Sequence, residues 1–147
     1  MKKTLKAILP AGFKANGVSS GLKKSGKPDL ALIYSQFPAV ASAKFTTNSI
    51  IAAPLIVCKE HLKSAKRFRA ILINSGNANC FTGKFGIRDA QASVGYVARE
   101  LKFARRSVLI NSTGIIGKKL DITKIKKAIP GLVSGLSSAG IHKAGKA

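Results

Sequence analysis

The sequence predicts a single domain of the α/β class, and three observations support that prediction. The 147 residues are enough for one ordinary domain with its own hydrophobic core. Hydrophobic residues make up 46% of the chain and aromatic residues only 6%, so small aliphatic side chains must fill that core. A strand, a helix and a second strand also follow one another over residues 70–110, an order typical of a parallel βαβ unit.

The first part of the chain is interpreted as a loop followed by three short strands. Residues 11–28 are rich in glycine, serine and lysine, and this composition predicts loop and turn. Leu30–Tyr34 is a short apolar run of the kind found in buried strands. Strands are also predicted over Ala39–Phe45, where small and larger residues alternate, and over Ile50–Val57. Pro54 would place the last of these strands at a sheet edge or a bulge.

The middle of the chain carries the predicted βαβ unit. Glu60–Arg67 is expected to form a short polar helix before it, and Ala70–Asn74 is expected to be the first buried strand. Residues 75–83 are small and polar and are predicted to be a loop. A helix is predicted from Ile87 to Phe103, because its apolar residues recur at steps of three and four and form one face. Ser107–Ile110 is expected to be the second buried strand.

Charged residues and one proline set the expected helix ends. Asp89 would lie in the first turn of the Ile87–Phe103 helix and Arg105–Arg106 after its last turn, as the helix dipole favours. Asp121 is predicted to cap a helix that carries Ile122, Ile125 and Ile129. Pro130 suits the first turn of a further helix, with apolar positions at Leu132, Val133 and Leu136.

The two strands of the βαβ unit end in similar sequences. Leu72-Ile73-Asn74-Ser75-Gly76 resembles Leu109-Ile110-Asn111-Ser112-Thr113, which indicates two neighbouring strands that end in small-residue turns at one sheet edge. Ligands of open α/β sheets bind beyond the carboxyl ends of the strands. These two turns are therefore the first candidates for a functional site.

The net charge is extreme, because 26 lysines and arginines face 5 acidic residues and give +21. Such a charge alone would indicate a polyanionic partner. The lysines are scattered in small groups, however, and no aromatic stacking pattern or nucleic-acid-binding motif accompanies them. We therefore expect no nucleic acid as the main partner, and keep a basic nucleic-acid-binding module as an alternative.

Sequence signals for membranes, export and metals are weak. The chain has no run of 18 apolar residues that would suggest a membrane span. The opening MKKTLKAILPAGF is not expected to be a signal peptide, because Lys6 and Pro10 interrupt its apolar stretch and leave it too short. A cytoplasmic location is the default expectation. Cys58 and His61 stand three residues apart without a second ligand pair, so we interpret them as a core thiol and a surface histidine.

The segment Asn111–Gly117 could hold an anion. Gly114 and Gly117 allow tight turns and leave backbone amides uncovered, and Thr113 adds a hydroxyl beside them. A hydroxyl and an adjacent amide can converge on one oxygen, as an oxyanion or a phosphate requires. From spacing alone, an ordinary strand-to-loop turn is the favoured interpretation.

The segment Asn74–Asn79 offers three asparagines in six residues, followed by Thr82-Gly83. Such a loop is either a self-bonded structural turn or the wall of a polar pocket, and composition leaves both open. It lacks the Gly-Lys-Ser/Thr of a phosphate-binding P-loop. None of the five acidic residues (Asp29, Glu60, Asp89, Glu100 and Asp121) has a partner placed for acid–base catalysis.

At these same turns the sequence resembles the ornithine acetyltransferases, the bifunctional glutamate N-acetyltransferases of arginine biosynthesis. The matching segments occur in the family's order and span nearly the whole chain. They are Gly12-Phe13 with Ala15 and Gly17, Lys27–Ile33, Phe45–Asn48 with Ala52–Pro54, Asn74–Asn79 with Thr82-Gly83, Gly86 with Asp89-Ala90, and Ser112–Gly117. The resemblance implies the N-terminal α/β domain of a two-domain fold akin to the self-processing aminopeptidases.

The resemblance also implies a mechanism. Family precursors cleave themselves at an Ala-Thr bond, and the new N-terminal threonine of the second chain is the nucleophile. It takes acetyl from N-acetylornithine and passes it to glutamate without a cofactor, and the resemblance leaves acetyl-CoA open as a further donor. In the family a Thr-Gly pair stabilises the oxyanion, and this role maps onto Thr113 and Gly114.

The sequence departs from the family in length. Family members are more than twice as long, and residues 1–147 contain no processing segment, so we expect an N-terminal domain that stops before the cleavage site. Thr46, Thr47 and Thr113 are internal and cannot replace a terminal threonine. We therefore expect the isolated chain to be inactive and to need a complementary C-terminal chain. A fragment of a related self-processing aminopeptidase is the second enzyme alternative.

Overall fold

The computed structural model describes residues 8–147, so most of the opening segment that we judged not to be a signal peptide lies outside the described residues. Four strands and four α-helices follow in the order β1, β2, α1, β3, α2, β4, α3 and α4, with one turn of 3₁₀ helix at Arg105–Ser107 before β4. The strands are β1 Phe13–Val18, β2 Leu30–Ala39, β3 Phe68–Asn74 and β4 Val108–Ser112, and the helices are α1 Ala53–Ser64, α2 Gly83–Glu100, α3 Ile122–Ser134 and α4 Ile141–Ala144.

The strands form one mixed sheet in the order β1-β2-β3-β4. The first two pairs are antiparallel, whereas β3 and β4 are parallel and are joined by α2. This arrangement confirms the predicted α/β class and the βαβ unit over residues 70–110. In the parallel pair Asn74 lies opposite Ser112, so both strands end at the same edge of the sheet.

The hydrophobic core lies between one face of the sheet and helices α1, α2 and α3. Leu32 and Leu72 are opposite each other on neighbouring strands, and both are buried against the helices. The apolar face of α2 supplies Val94 and Val97, which are fully buried. The opposite sheet face is more open, and Ile71 on it is 38% exposed. None of the helices in the described part of the chain is long and apolar enough to cross a bilayer.

Two of the predicted strands are wrong. The Ile50–Val57 segment leads into α1, where Pro54 occupies the first turn and not a strand edge. Proline is tolerated there because the first helical amides have no helical acceptor. Residues 40–48 are irregular, because β2 already reaches Phe68, the first residue of β3, at Ala39 and has no further partner to pair with.

Three boundaries also differ from expectation. The predicted loop over residues 11–28 contains the edge strand β1, which the glycine- and lysine-rich composition of the whole segment conceals. The Glu60–Arg67 helix is the second half of α1, which ends at Ser64. Helix α2 begins at Gly83 and not at Ile87, so Asp89 lies beyond its first turn and is buried.

The C-terminal helices follow the prediction in part. Asp121 caps α3 and accepts a hydrogen bond from the Lys124 amide at 3.4 Å, as expected. Pro130 does not begin a new helix but lies inside α3. The helix continues through Pro130 because its buried apolar positions, Ile125, Ile129 and Leu132, keep the helical spacing and pack into one core.

Candidate active-site turn at the carboxyl ends of β3 and β4

The two turns that follow β3 and β4 lie side by side, as their similar sequences predicted. The Thr113 amide donates to the Asn74 carbonyl at 3.0 Å, and the Ala78 amide donates to the Ile115 carbonyl at 3.0 Å. The Gly117 amide donates to the carbonyl of Cys80 at 2.9 Å. These bonds continue the parallel pairing of the strands, and they therefore fix the segment after β4 against the turn that follows β3.

Gly114 makes the closest approach between the two turns. Its φ of 129° lies in the region that side-chain-bearing residues rarely adopt. A Cβ at this position would stand 2.6 Å from the Asn77 amide nitrogen and closer still to the Gly76 carbonyl carbon. Both the conformation and the packing therefore require glycine at position 114.

The asparagines of the first turn are committed to the structure of the turn. Asn74 donates from its side chain to the Asn77 carbonyl at 2.8 Å, and its side-chain oxygen accepts from the Ser112 hydroxyl at 2.6 Å. Asn74 and Asn77 are both buried. The first of these bonds closes the turn after β3, and the second ties β3 to the end of β4.

Asn77 and Asn79 extend this network to the neighbouring segments. The Asn77 side chain accepts from the Asn79 amide at 2.8 Å and donates to the carbonyl of Lys118 at 3.0 Å. Asn79 donates to the carbonyl of Gly86 at 2.9 Å and accepts from the Thr82 hydroxyl at 2.9 Å. Of the two alternatives left open by composition, the self-bonded structural turn describes these asparagines.

Thr113 and Gly114 differ from the asparagines, because both are exposed. Within residues 8–147, neither the Thr113 hydroxyl nor the Gly114 amide makes a hydrogen bond, although the Thr113 amide does. A hydroxyl and an adjacent backbone N–H are thus free to donate, while hydrogen bonds to the turn after β3 fix the backbone that carries them. An oxyanion site requires donors that are already in place, and the expectation that these two converge on one oxygen stays a prediction.

Gly114 also lines a cleft of about 660 Å³. The segments after β3 and β4 contribute Gly76, Asn77 and Ile115 to its lining, and five lysines also line it: Lys23, Lys24, Lys118, Lys119 and Lys124. The sequence scatters these lysines over two regions about a hundred positions apart, so no basic block was visible. The fold brings them together by placing the loop before β2 beside the segment that leads into α3.

Large apolar side chains flank the candidate turn and remain exposed. Ile115 and Ile116 within the turn are 57% and 66% exposed, and Phe81 and Phe85 on the neighbouring segment are 75% and 60% exposed. Four such residues in one region exceed the scattered apolar exposure of an ordinary surface. Clustered apolar exposure of this kind is typical of interaction surfaces, and we call these four residues the apolar rim.

Two buried aspartates near the site differ in their environments. Asp29 accepts from the amide and hydroxyl of Ser20 at 2.6 and 2.7 Å and from the Lys23 amide at 2.9 Å. Burial opposes its ionisation, but these hydrogen bonds prevail and hold the pKa of Asp29 below its ordinary value. Asp89 is buried, and its Oδ2 has no hydrogen-bond partner within residues 8–147. Burial raises the pKa of Asp89 despite the nearby charges of Lys119 and Arg88.

Cys58 and His61 lie away from the turns and contact β4 from the side. The Cys58 thiol donates to the Ile110 carbonyl at 3.0 Å, and burial raises its pKa. His61 is not the surface histidine that we expected, because it is 5% exposed and its Nδ1 lies 2.7 Å from the Val108 carbonyl. Its position on the inner face of α1 was hidden by the wrong strand assignment of the preceding residues.

Comparison with known proteins gives a consistent result. Residues 14–147 match the ArgJ family. The chain is 43% identical over 138 residues to the arginine biosynthesis bifunctional protein ArgJ of a Synechocystis species, a match that covers 94% of this chain and 33% of the relative. It is 46% identical over 137 residues to the chloroplastic ArgJ of Populus trichocarpa, covering 92% of this chain and 28% of the relative.

Solved structures show the same fold. The ornithine acetyltransferase of Mycobacterium tuberculosis, in complex with ornithine, superposes with a TM-score of 0.87 at 36% identity, covering 93% of this chain and 75% of that chain. The ArgJ protein of Bacillus halodurans superposes with a TM-score of 0.86 at 33% identity, covering 92% and 71%. The present chain spans about a third of the length of the curated relatives.

Proposed function

The chain belongs to the ArgJ family, and from that premise we propose that it supplies the oxyanion-stabilising turn of an acetyltransferase in arginine biosynthesis. The reaction would transfer an acetyl group from N-acetylornithine to glutamate. Thr113 and Gly114 are the residues assigned to the turn. The observation that carries the proposal is the pair of free donors at these positions, on a backbone fixed by the asparagine network.

The proposed role of the turn is electrostatic. When a nucleophile attacks the acetyl carbonyl, the carbonyl oxygen becomes an oxyanion in the tetrahedral intermediate. The Gly114 N–H and the Thr113 hydroxyl would donate hydrogen bonds to that oxygen. Because the donors are already in place, little reorganisation is needed as charge develops, and this lowers the barrier.

The nucleophile is proposed to come from a complementary C-terminal chain that begins with threonine, as the family resemblance implies. Its hydroxyl would attack the acetyl group and release ornithine, and the glutamate amine would then attack the acetyl-threonine ester and regenerate the hydroxyl. Two observations support a second chain at this surface. The exposed Phe81, Phe85 and Ile116 beside the turn are suited to burial by a protein partner, and relatives extend well beyond the matched region.

Reconstitution tests this proposal. The purified chain is mixed with the remainder of the Synechocystis relative, and transfer of labelled acetyl from N-acetylornithine to glutamate is measured. We expect no transfer by the chain alone and measurable transfer by the mixture. Acetyl transfer by the isolated chain would contradict the assigned division of labour. So would a stable complex, with its threonine processed to the terminus, that transfers no acetyl group.

A further inference from the structure

Asn74 lies where the two turns meet, and it bonds both of them. It is the last residue of β3 and is 1% exposed. Its backbone carbonyl accepts from the Thr113 amide at 3.0 Å, and its side-chain oxygen accepts from the Ser112 hydroxyl at 2.6 Å. Its side-chain nitrogen donates to the Asn77 carbonyl at 2.8 Å. One buried residue therefore links the turn after β3 to the strand end that carries Thr113.

The turn that Asn74 closes is also the segment against which Gly114 packs. A Cβ at position 114 would stand 2.8 Å from the Gly76 Cα and 2.6 Å from the Asn77 nitrogen, so the backbones of the two turns are in direct contact there. Atoms packed this closely cannot move independently of each other. A change in the shape of the first turn would therefore displace Gly114 as well as Thr113.

Asn16 provides a comparison, because it is a buried asparagine that serves the fold alone. It is 3% exposed, and its side chain donates to the Leu132 carbonyl at 2.9 Å, which ties β1 to α3. Strands β1 and β4 lie at opposite edges of the sheet. Within residues 8–147 the hydrogen bonds of the Asn16 side chain all go to α3. Asn16 and Asn74 thus share side chain, burial and a bond to a carbonyl, but only Asn74 is linked to the candidate turn.

We propose that Asn74 is a positioning residue for acetyl transfer, which holds the Thr113 hydroxyl and the Gly114 amide in place through its bonds to Ser112 and Asn77. The inference rests on the proposed oxyanion role of the turn, and it adds that the position of the donors depends on a buried side chain that no substrate reaches. Displacement of a catalytic group by about 1 Å can cost about a hundredfold in rate. Loss of one of these bonds should therefore lower kcat.

The variant Asn74→Asp tests the proposal without a change in side-chain size. The ionised carboxylate still accepts from Ser112, but it cannot donate to the Asn77 carbonyl and repels it. The protonated carboxyl can make both bonds, and burial favours that form. In the reconstituted enzyme, the ratio of the variant's kcat to the wild-type kcat at the same pH should therefore rise at least about tenfold from about pH 9 to about pH 5.5, with little change in KM.

The matched control is Asn16→Asp, which introduces the same group at an equally buried amide. Both variants should lower the melting temperature, because each loses a buried hydrogen bond. The kcat of Asn16→Asp, measured per assembled enzyme, should nevertheless stay within about twofold of wild type at every pH. A loss that came only from a weakened fold would affect the two variants alike.

A milder pair of variants isolates the second bond. Ser112→Ala removes only the hydroxyl that donates to the Asn74 oxygen, and we expect kcat to fall about three- to tenfold. Ser112→Thr keeps a hydroxyl at this position and should recover most of the loss. This pair decides the question if Asn74→Asp does not assemble.

A kcat ratio for Asn74→Asp that does not change with pH would overturn the proposal, and so would an unchanged kcat for Ser112→Ala. Thr113→Ala in the same assay distinguishes this failure from failure of the proposed function. If Thr113→Ala lowers kcat while the Asn74 and Ser112 variants do not, the positioning role is wrong and the oxyanion role stands. If Thr113→Ala leaves kcat unchanged, both roles are wrong.

Discussion

Asp29 and Asp89 are both buried, but their carboxylates have opposite effects on the stability of the fold. Asp29 is surrounded by donors from the loop before β2 and holds that loop against the sheet. Asp89 sits in the face of α2 with an oxygen that no described residue satisfies. A buried ionised group without a hydrogen bond costs free energy, whereas one that accepts several charge-assisted hydrogen bonds stabilises the fold.

The pH dependence of stability should separate these two residues. The folded-state pKa of Asp29 lies below its unfolded value, so its stabilisation exists above the unfolded pKa and is lost as pH falls. The folded-state pKa of Asp89 lies above its unfolded value, so wild-type stability declines as pH rises from the unfolded pKa through the folded one. Asp29→Asn should therefore lower the melting temperature at neutral pH, and Asp89→Asn should raise it.

Melting temperatures of the two variants and the wild type, measured from neutral pH down to about pH 3, check this prediction. Both differences from wild type should shrink as the solution becomes acidic, because the wild-type carboxyls then become neutral like the amides. A melting temperature of Asp89→Asn below that of wild type at neutral pH would show that its carboxylate has a stabilising partner.

At the scale of elements, α1 lies along the outer edge of β4, where the sheet of the described residues has no further strand. Strand β4 is an edge strand, and an edge with free backbone groups invites pairing with other chains. The Cys58 sulfur accepts from the Ile110 amide at 3.2 Å and donates to the carbonyl of the same residue at 3.0 Å. The Nδ1 of His61 lies 2.7 Å from the Val108 carbonyl oxygen. The side chains of α1 thus provide partners for backbone groups of Ile110 and Val108 on the outer edge of β4.

Removal of the thiol should therefore destabilise the domain. Cys58→Ala leaves the amide and the carbonyl of Ile110 buried without partners, and we expect a loss of about 1–3 kcal/mol in the free energy of unfolding. Cys58→Ser should recover part of this loss, because a hydroxyl can also donate and accept. Urea denaturation measures the effect, and light scattering detects added self-association through the opened edge.

Cys80, the other cysteine of the described chain, provides the matched control. It is half-buried in the loop after β3, and its sulfur makes no hydrogen bond within residues 8–147. Cys80→Ala should leave the free energy of unfolding within about 0.5 kcal/mol of wild type. An equal loss in the free energy of unfolding for both alanine variants would show that Cys58 does not stabilise the domain by bonding the Ile110 backbone.

The elements differed in how well the sequence predicted them, for physical reasons. Leu30–Tyr34 and Ala70–Asn74 were predicted as strands because they carry apolar side chains on both faces of the sheet, including partly exposed ones such as Ile71, and so form continuous apolar runs in the sequence. The start of α1 was misread because β-branched residues precede Pro54 and the helix has little apolar asymmetry of its own. Edge strand β1 was missed because its pairing with β2, and not its composition, makes it a strand.

The candidate site was predictable to a different extent. The adjacency of the two turns followed from similar strand ends in a βαβ unit, and the structure confirms it. The role proposed for Thr113 and Gly114 rests on family resemblance, because spacing alone favoured an ordinary turn. The lysine-lined cleft could not be predicted, because Lys24 and Lys118 line the same cleft only once the chain has folded. The local sequence pattern predicts helices and strands, whereas a site assembled from distant segments can be recognised only once the fold is known.

At the scale of the whole molecule, the proposed chemistry is gathered at one edge of the sheet. Free donors, a lysine-lined cleft and an exposed apolar rim all lie around the turn after β4. The asparagine network beneath them contributes rigidity and leaves the donors to be used by a ligand. The central proposal is therefore that the Thr113–Gly114 turn stabilises the oxyanion that forms on the acetyl carbonyl oxygen when a partner chain's threonine attacks the acetyl group.

The most direct test of that claim compares kcat for Thr113→Ala and Thr123→Ala in the reconstituted enzyme. Thr123 is an exposed threonine on α3, so its variant removes the same atoms from a site without proposed chemistry. We predict that Thr113→Ala lowers kcat by about 10²–10³-fold with little change in KM, and that Thr123→Ala leaves kcat unchanged. A kcat for Thr113→Ala equal to that of Thr123→Ala would contradict the account.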